Sequence, residues 1–327
     1  MADDRYLEAL REIARIAGSL LGADGSPDGE PASEAGDDQA CRVMALPYRL
    51  QDKAAEVAAR ENPVNAPNRE LMSLSGASID VLALTVSTGK YWGPVSKKLS
   101  VSFLESTPAD LRARIVSHLN AWSEWCGISF AETSGTGNVR ISRGPGGYWS
   151  YLGTDIRLIP LNRPTMNLQG FTMRTADSEF VRVVRHEAGH TLGFPHEHMR
   201  KALVDRIDPE KAYAYFQRTQ GWSRPMVDQQ VLTALDGWSI FGTEPDQDSI
   251  MCYQLPGSIT RDGQPIRGGR DINRTDSAFA GVIYPKVLRG LDETGIVDVE
   301  ETADAGPNFV TDGVPDWAPE DDVVLAV

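Results

Sequence analysis

Thirteen residues from His186 to His198, HEAGHTLGFPHEH, constrain the fold more than any other part of the 327-residue chain, and they hold four of its five histidines. His186 and His190 are four residues apart, so an α-helix places both imidazoles on one face. A helix continued to His196 would turn that side chain roughly 240° away from His190, at about 100° per residue. The chain must therefore leave the helix between the second and third histidines.

The residues after His190 predict where this helix ends. Gly193 is the residue type that ends a helix in the left-handed conformation without a Cβ penalty. Pro195 forbids continuation of the helix and favours an extended Phe194. His196 can then turn back towards the first two imidazoles.

Three imidazoles with an open fourth position are typical of catalytic zinc. We therefore predict one zinc ion bound by His186, His190 and His196. Glu187 is placed to act as the general base towards a water in the open position. The alternative is a core helix that carries histidines by chance, which five jointly specified positions disfavour.

The pattern HExxHxxGxxH resembles the metzincin metallopeptidases, which also have a methionine turn beneath the zinc. The segment Ser249–Tyr253, with sequence SIMCY, is similar to that turn, and Met251 would be its apolar floor. The alternative for a lone methionine is ordinary core packing.

Three further features resemble the astacin family of metzincins. Glu197 follows His196 directly, Tyr253 lies two residues after Met251, and the sequence WSYLG begins at Trp149. The resemblance implies that Tyr253 is a mobile fifth zinc ligand that stabilises the oxyanion. It also implies that Trp149, Ser150 and Tyr151 form an edge strand to which an extended substrate adds antiparallel.

The resemblance covers about residues 86–285 and implies an α+β, zincin-like catalytic domain. Such a domain has a twisted mixed sheet, a backing helix, a zinc-binding helix and a loop-rich C-terminal subdomain. Residue patterns predict strands at 99–103, 138–142 and 156–161 and helices at 108–126, 177–192 and 275–282. Ser106 or Thr107 is the predicted N-cap of the backing helix.

The remaining chain divides into four predicted parts. These are an amphipathic helix at 1–21, an acidic linker at 22–40, a pro-region at 41–85 and an acidic tail at 286–327. Residues 22–40 hold six acidic residues and 291–327 hold eleven, with no basic residue in either, which leaves 29 acidic against 32 basic residues elsewhere. This distribution argues against nucleic-acid binding.

The N-terminus lacks the pattern of a signal peptide, and no stretch approaches the roughly 20 apolar residues of a membrane span. We expect a cytoplasmic protein, one that leaves by a leaderless or partner-dependent route, or a sequence that is not the primary product.

Three widely spaced cysteines, Cys41, Cys126 and Cys252, do not demand an oxidising compartment. Astacins usually have a cysteine where this chain has Tyr148, so the customary disulfide cannot form. Cys41 is a candidate latency ligand, because a thiolate could fill the open zinc position. The family more usually uses a pro-region aspartate, whose motif is not recognisable here. The alternative for Cys41 is packing as a small hydrophobe.

Together these features predict a zinc-dependent endopeptidase that hydrolyses extended polypeptides. Two alternatives remain open. One is a narrow-specificity metzincin that processes a single partner protein, and the other is a catalytically silent zinc-containing module that binds peptides. Intact Glu187 favours hydrolysis, since only catalysis needs that carboxylate.

Overall fold

The computed structural model describes residues 41–66, 89–234 and 245–286. The predicted helix at 1–21, the acidic linker, residues 67–85 of the predicted pro-region and all but the first residue of the predicted acidic tail lie outside these ranges. Within them, no helix combines the length and apolar character needed to cross a bilayer.

A six-stranded mixed sheet forms the centre of the structure. Its strands are listed in chain order: β1 Cys41–Met44, β2 Lys97–Phe103, β3 Ile128–Glu132, β4 Val139–Ser142, β5 Tyr148–Tyr151 and β6 Met166–Leu168. The spatial order is β1-β5-β6-β4-β2-β3. Only the β5–β6 pair is antiparallel, and β1 pairs parallel with β5 along one edge of the sheet.

The α-helices are α1 Gln51–Glu61, α2 Ala109–Leu119, α3 Asp177–Glu179, α4 Arg185–Thr191, α5 Lys201–Val204, α6 Pro209–Gln220, α7 Arg224–Val227 and α8 Arg274–Ile283. A π-helical turn, Phe180–Val184, joins α3 to α4 and makes one continuous helix. A second π-helical turn, Asp228–Leu232, follows α7. Helices α5 to α7 and their loops form a second, smaller apolar cluster beneath α4, the helix that carries His186 and His190.

The backing helix is shorter than predicted. Residues 109–119 are α-helical and Asn120–Glu124 continue as a 3-10 helix, since the Asn120 side-chain amide bonds both Val116 O (3.0 Å) and Phe130 O (2.8 Å). The predicted cap is wrong, because Pro108 is the N-cap and no side chain caps the helix. One face of this helical stretch is buried in the core: Leu111, Ile115, Leu119 and Trp122.

The predicted strand at 156–161 is also wrong. Gly153–Leu158 forms a 3-10 helix that starts at a left-handed Gly153 (φ +38°). Its polar residues are buried in ion pairs, Asp155 with Lys90 (3.0 Å) and Arg157 with Glu61 (3.1 Å). These charged residues are therefore buried by pairing with distant residues, which differs from a strand with one solvated face.

Residues 41–66 pack firmly onto the rest of the structure. Leu46, Ala54 and Val57 belong to the main apolar core. Asn65 closes α1 by donating to Ala58 O (2.9 Å) and Tyr91 O (2.7 Å), and it accepts from Tyr91 N (2.9 Å). This segment contains strand β1 and helix α1, and α1 ends at its C-cap Asn62.

Candidate active site

The active-site helix ends as the sequence predicts. Gly193 has φ +93°, its N–H donates to His190 O (2.8 Å), and Phe194 N–H donates to Gly189 O (3.0 Å). This pair of bonds is a Schellman motif, which satisfies the last carbonyls of the helix. The chain then runs extended through Pro195, so that His196 turns back towards the helix.

Three histidines and one cysteine converge at this turn. One ligand atom from each of Cys41, His186, His190 and His196 lies within 4.8 Å of the others, and all four residues are buried. The Nε2 atoms of His190 and His196 are 3.1 Å apart. Such close approach of four potential ligands matches a tetrahedral metal site.

Backbone carbonyls orient two of the imidazoles. His186 Nδ1 lies 2.6 Å from Ile250 O, and His190 Nδ1 lies 2.7 Å from Phe194 O. A carbonyl only accepts hydrogen bonds, so each Nδ1 carries the proton and each Nε2 presents a lone pair. Both rings are thereby held in the tautomer that binds a metal through Nε2.

Burial determines the electrostatics of the cluster. It lowers the pKa of His186 to about 4 and the pKa values of His190 and His196 well below the usual range, so the imidazoles are neutral. It raises the pKa of Glu187 to about 8. Burial, reinforced by the Glu187 carboxylate, raises the pKa of the Cys41 thiol well above its usual range.

The donor set fits a zinc ion. His186 Nε2 is buried without a hydrogen-bond partner in the described part of the chain, and the Glu187 carboxylate is fully buried beside the Cys41 thiol. Unpaired buried polar atoms are costly, and a divalent cation among them would supply the missing partner and counter-charge. Neutral imidazoles and a thiolate are ligands that zinc prefers.

Tyr253 lies against the histidine cluster. Its ring centroid is 4.3 Å from that of His196, and it stacks on His198 at 4.4 Å with an interplanar angle of 8°. Its buried hydroxyl has no hydrogen-bond partner among the described residues, and burial raises its pKa well above the usual range. The charges of the neighbouring Cys41 and Glu187 add to this upward shift of the Tyr253 pKa.

The two remaining histidines are separate from the cluster. His198 is fully buried, and its Nε2 lies 3.0 Å from Gln230 O, so it packs behind His196 rather than at the surface. His118 is half-buried on α2, where its ring faces Phe180.

The methionine turn fits under α4 because Gly189 has no side chain. A methyl group added there would overlap the Met251 sulfur and lie 3.2 Å from the Trp122 ring. Asp276 fixes the turn by accepting from Ser249 Oγ (2.6 Å) and Ile250 N (2.9 Å).

Glu197 ties the turn to the third histidine. Its N–H donates to Met251 O (2.8 Å), and its carboxylate accepts from Asp246 N (3.1 Å) and pairs with Arg200 (3.4 Å). Burial raises the pKa of Glu197 to about 7.

Strand β5, the expected site of substrate addition, is covered in this structure. Trp149 pairs with Arg42 and Ser150 pairs with Val43 in the parallel β1–β5 register. Ser150 is fully buried, and its hydroxyl donates to Tyr151 O (3.0 Å). The edge where a peptide would add is therefore held by this chain's own residues 41–44.

Sequence reasoning missed the residues that act through their contacts. Gln230, which bonds to β1, and Ile250, whose carbonyl orients His186, carry no local signal. Asp276 does carry a local signal, because it forms a capping box with Asn273 at the start of α8.

Comparisons with known proteins support this assignment. The chain is 32% identical over 207 residues to zinc metalloproteinase nas-27 of Caenorhabditis elegans, a match covering 59% of this chain and 43% of nas-27. This chain therefore spans less than half the length of that relative. A solved structure of myroilysin aligns with a TM-score of 0.57 and 31% identity, covering 61% of this chain and 97% of myroilysin. No family model matches the chain.

The sheet, the interrupted helix and the methionine turn define a zincin-like domain of the metzincin class. Within that class the chain belongs to the astacin family of zinc metallopeptidases.

Replacing Gly189 with Ala is expected to lower the free energy of unfolding by about 2 kcal/mol, because the added methyl displaces Met251. Zinc retention should fall with it, since the turn supports His186. Denaturant unfolding and metal analysis measure both effects. The control is Gly135→Ala, where the nearest atom to the new methyl is 3.9 Å away. Equal stability of the two variants would contradict the packing role.

Proposed function

We propose that this chain is a zinc-dependent endopeptidase acting on extended polypeptides. The observation that carries the proposal is the convergence of His186, His190 and His196 beside the buried carboxylate of Glu187. The relative nas-27 is named a zinc metalloproteinase, which agrees with this donor set.

Zinc held by the three imidazoles would supply a Lewis acid and lower the pKa of a water molecule to near neutrality. Glu187 follows His186 on α4 and would accept the proton of the attacking water, then return it to the leaving amine. The Tyr253 hydroxyl would donate a hydrogen bond to the developing oxyanion. Each of these groups is buried, where electrostatic interactions are stronger than in water.

The substrate would bind along β5 by main-chain hydrogen bonds. A strand added antiparallel to β5 gives affinity without dependence on side-chain sequence. The parallel pairing of β1 with the same edge supports this proposal, because β1 is itself an extended chain bound there. Glu187 would have no task in a silent peptide-binding module, and its burial at the cluster favours the enzyme.

Cys41 is proposed as the ligand that keeps the enzyme latent. Its thiol lies in the cluster of three histidine ligands, and strand β1 carries it there. A thiolate in the fourth position would exclude the catalytic water. Strand β1 also runs parallel to β5, opposite to the expected substrate direction, so it covers the edge without presenting a peptide bond in the productive direction.

The packing of residues 41–66 determines how this latency is best tested. Removing them would expose apolar surface that Leu46, Ala54 and Val57 now cover. A substitution at Cys41 is therefore a cleaner test than truncation.

Replacing Glu187 with Gln in a Cys41→Ala background should preserve one bound zinc and lower kcat by roughly 10³, since the general base is lost. Metal analysis and hydrolysis of a quenched fluorescent peptide measure the two effects. Glu179→Gln, which neutralises a partly exposed carboxylate paired with Arg182 three residues away, serves as the control and should retain activity. Activity that survives in Glu187→Gln would contradict the mechanism.

Replacing Tyr253 with Phe in the same background removes one oxyanion donor and should lower kcat by roughly 10² with little change in KM. Steady-state kinetics at saturating and limiting peptide separate the two constants. A change confined to KM would show that the hydroxyl has no role in the transition state.

Full-length wild-type protein with zinc bound should be inactive and its Cys41 protected from iodoacetamide, whereas Cys41→Ala should hydrolyse peptide. Cys126→Ala is the matched control. Cys126 is also a buried free cysteine, but it does not belong to the cluster of Cys41 with the three histidines. Peptide hydrolysis and mass spectrometry of alkylated peptides provide the readouts. Equal activity of wild type and Cys41→Ala, with rapid alkylation of Cys41, would exclude the switch.

A further inference from the structure

Strand β1 is held from both sides. It pairs with β5 along one edge, and at Val43 the opposite edge meets a glutamine side chain. Val43 N–H donates to Gln230 Oε1 at 3.0 Å, and Gln230 Nε2 donates to Val43 O at 3.1 Å. The side-chain amide thus bonds to both main-chain groups of one residue, as a neighbouring strand would.

The backbone of Gln230 is anchored close to the histidine cluster. It is 4% exposed and lies in the π-helical turn Asp228–Leu232. Its backbone carbonyl lies 3.0 Å from His198 Nε2, and His198 stacks on Tyr253. The backbone that carries the amide is therefore positioned relative to the histidine cluster, which favours a defined place for the amide on binding a chain.

A primary amide can bind an extended chain in either direction. An extended residue presents its N–H and C=O side by side, and reversing the chain exchanges their order. The glutamine amide carries one acceptor and two donors on a terminal torsion with a broad, roughly two-fold profile. Rotation about that torsion lets the same side chain bond to a strand that is parallel or antiparallel to β5.

The position of Gln230 assigns it to one side of the scissile bond. Val43 lies two residues beyond Cys41 and opposite Ser150. In a chain running antiparallel to β5, the residue opposite Ser150 comes before the residue at the metal. Gln230 therefore faces the residue about two positions N-terminal to the bond to be cleaved.

We propose that Gln230 is a main-chain clamp, a side chain that hydrogen-bonds to the backbone of the chain lying along β5. In the latent form it binds Val43 of β1. After activation it binds the part of the peptide substrate that is N-terminal to the bond to be cleaved. The second half of this inference rests on the proposed endopeptidase function. It names Gln230 as a positioning residue that selects an extended backbone rather than a particular side chain.

The first test uses the full-length, zinc-loaded chain. Gln230→Met keeps an unbranched side chain but removes the amide, so β1 loses two hydrogen bonds. Alkylation of Cys41 by iodoacetamide should become about tenfold faster, which corresponds to about 1.4 kcal/mol. Gln217→Met, at an exposed position of α6, should leave the rate unchanged. An unchanged rate in Gln230→Met would overturn the clamp on β1.

The second test measures peptide binding without turnover, in zinc-loaded Cys41→Ala/Glu187→Gln. Calorimetry compares an all-amide peptide with esters that replace one N–H at a time. The ester at the position facing Gln230 should raise Kd about tenfold, and less than twofold once Gln230→Met is added. An equal ester penalty with and without the Gln230 amide would overturn the substrate clamp. Absence of hydrolysis in Cys41→Ala alone would instead count against the endopeptidase proposal.

Discussion

The arrangement of the three histidines depends on how helix α4 ends. Because Gly193 adopts a left-handed conformation and Phe194 N–H bonds back to Gly189 O, the chain reverses within a few residues of His190. His196 then meets the two helical histidines. An L side chain at Gly193 would be strained and would meet Lys90 O at 2.8 Å. The approach of His196 to the other two histidines therefore depends on glycine at position 193.

A second set of contacts makes this geometry rigid. The Asp276 carboxylate accepts a hydrogen bond from Ile250 N, and Ile250 O accepts one from His186 Nδ1. Gly189 leaves room for the Met251 side chain below α4. These contacts link the closing helix α8 to the first imidazole through the methionine turn. Ligands held by hydrogen bonds and packing need little reorganisation when metal binds, which is the property that a catalytic metal site requires.

Local patterns in the sequence predicted the parts of this centre that local physics determines. The helical spacing of His186 and His190, the break at Gly193 and the apolar face of α2 follow from periodicity and from glycine and proline chemistry. The strand expected at 156–161 was wrong, because residues up to Leu158 form a 3-10 helix in which Arg157 pairs with Glu61, a distant partner that a local pattern cannot indicate.

Long-range pairing could not be foreseen from the sequence for the same reason. Nothing near Gln230 or Tyr148 indicates that residues 41–44 lie between them. The chemistry of Cys41 suggested a zinc ligand, but its route into the cleft, parallel to β5, is a property of the fold. Contacts between residues more than a hundred positions apart depend on the packed structure and leave no periodic trace.

In the proposed latent form, three imidazoles and the Cys41 thiolate share one zinc ion. Zinc-edge X-ray absorption on the full-length protein measures these ligands. We expect one sulfur at about 2.3 Å and three nitrogens at about 2.0 Å. A spectrum with nitrogen and oxygen ligands only would contradict it.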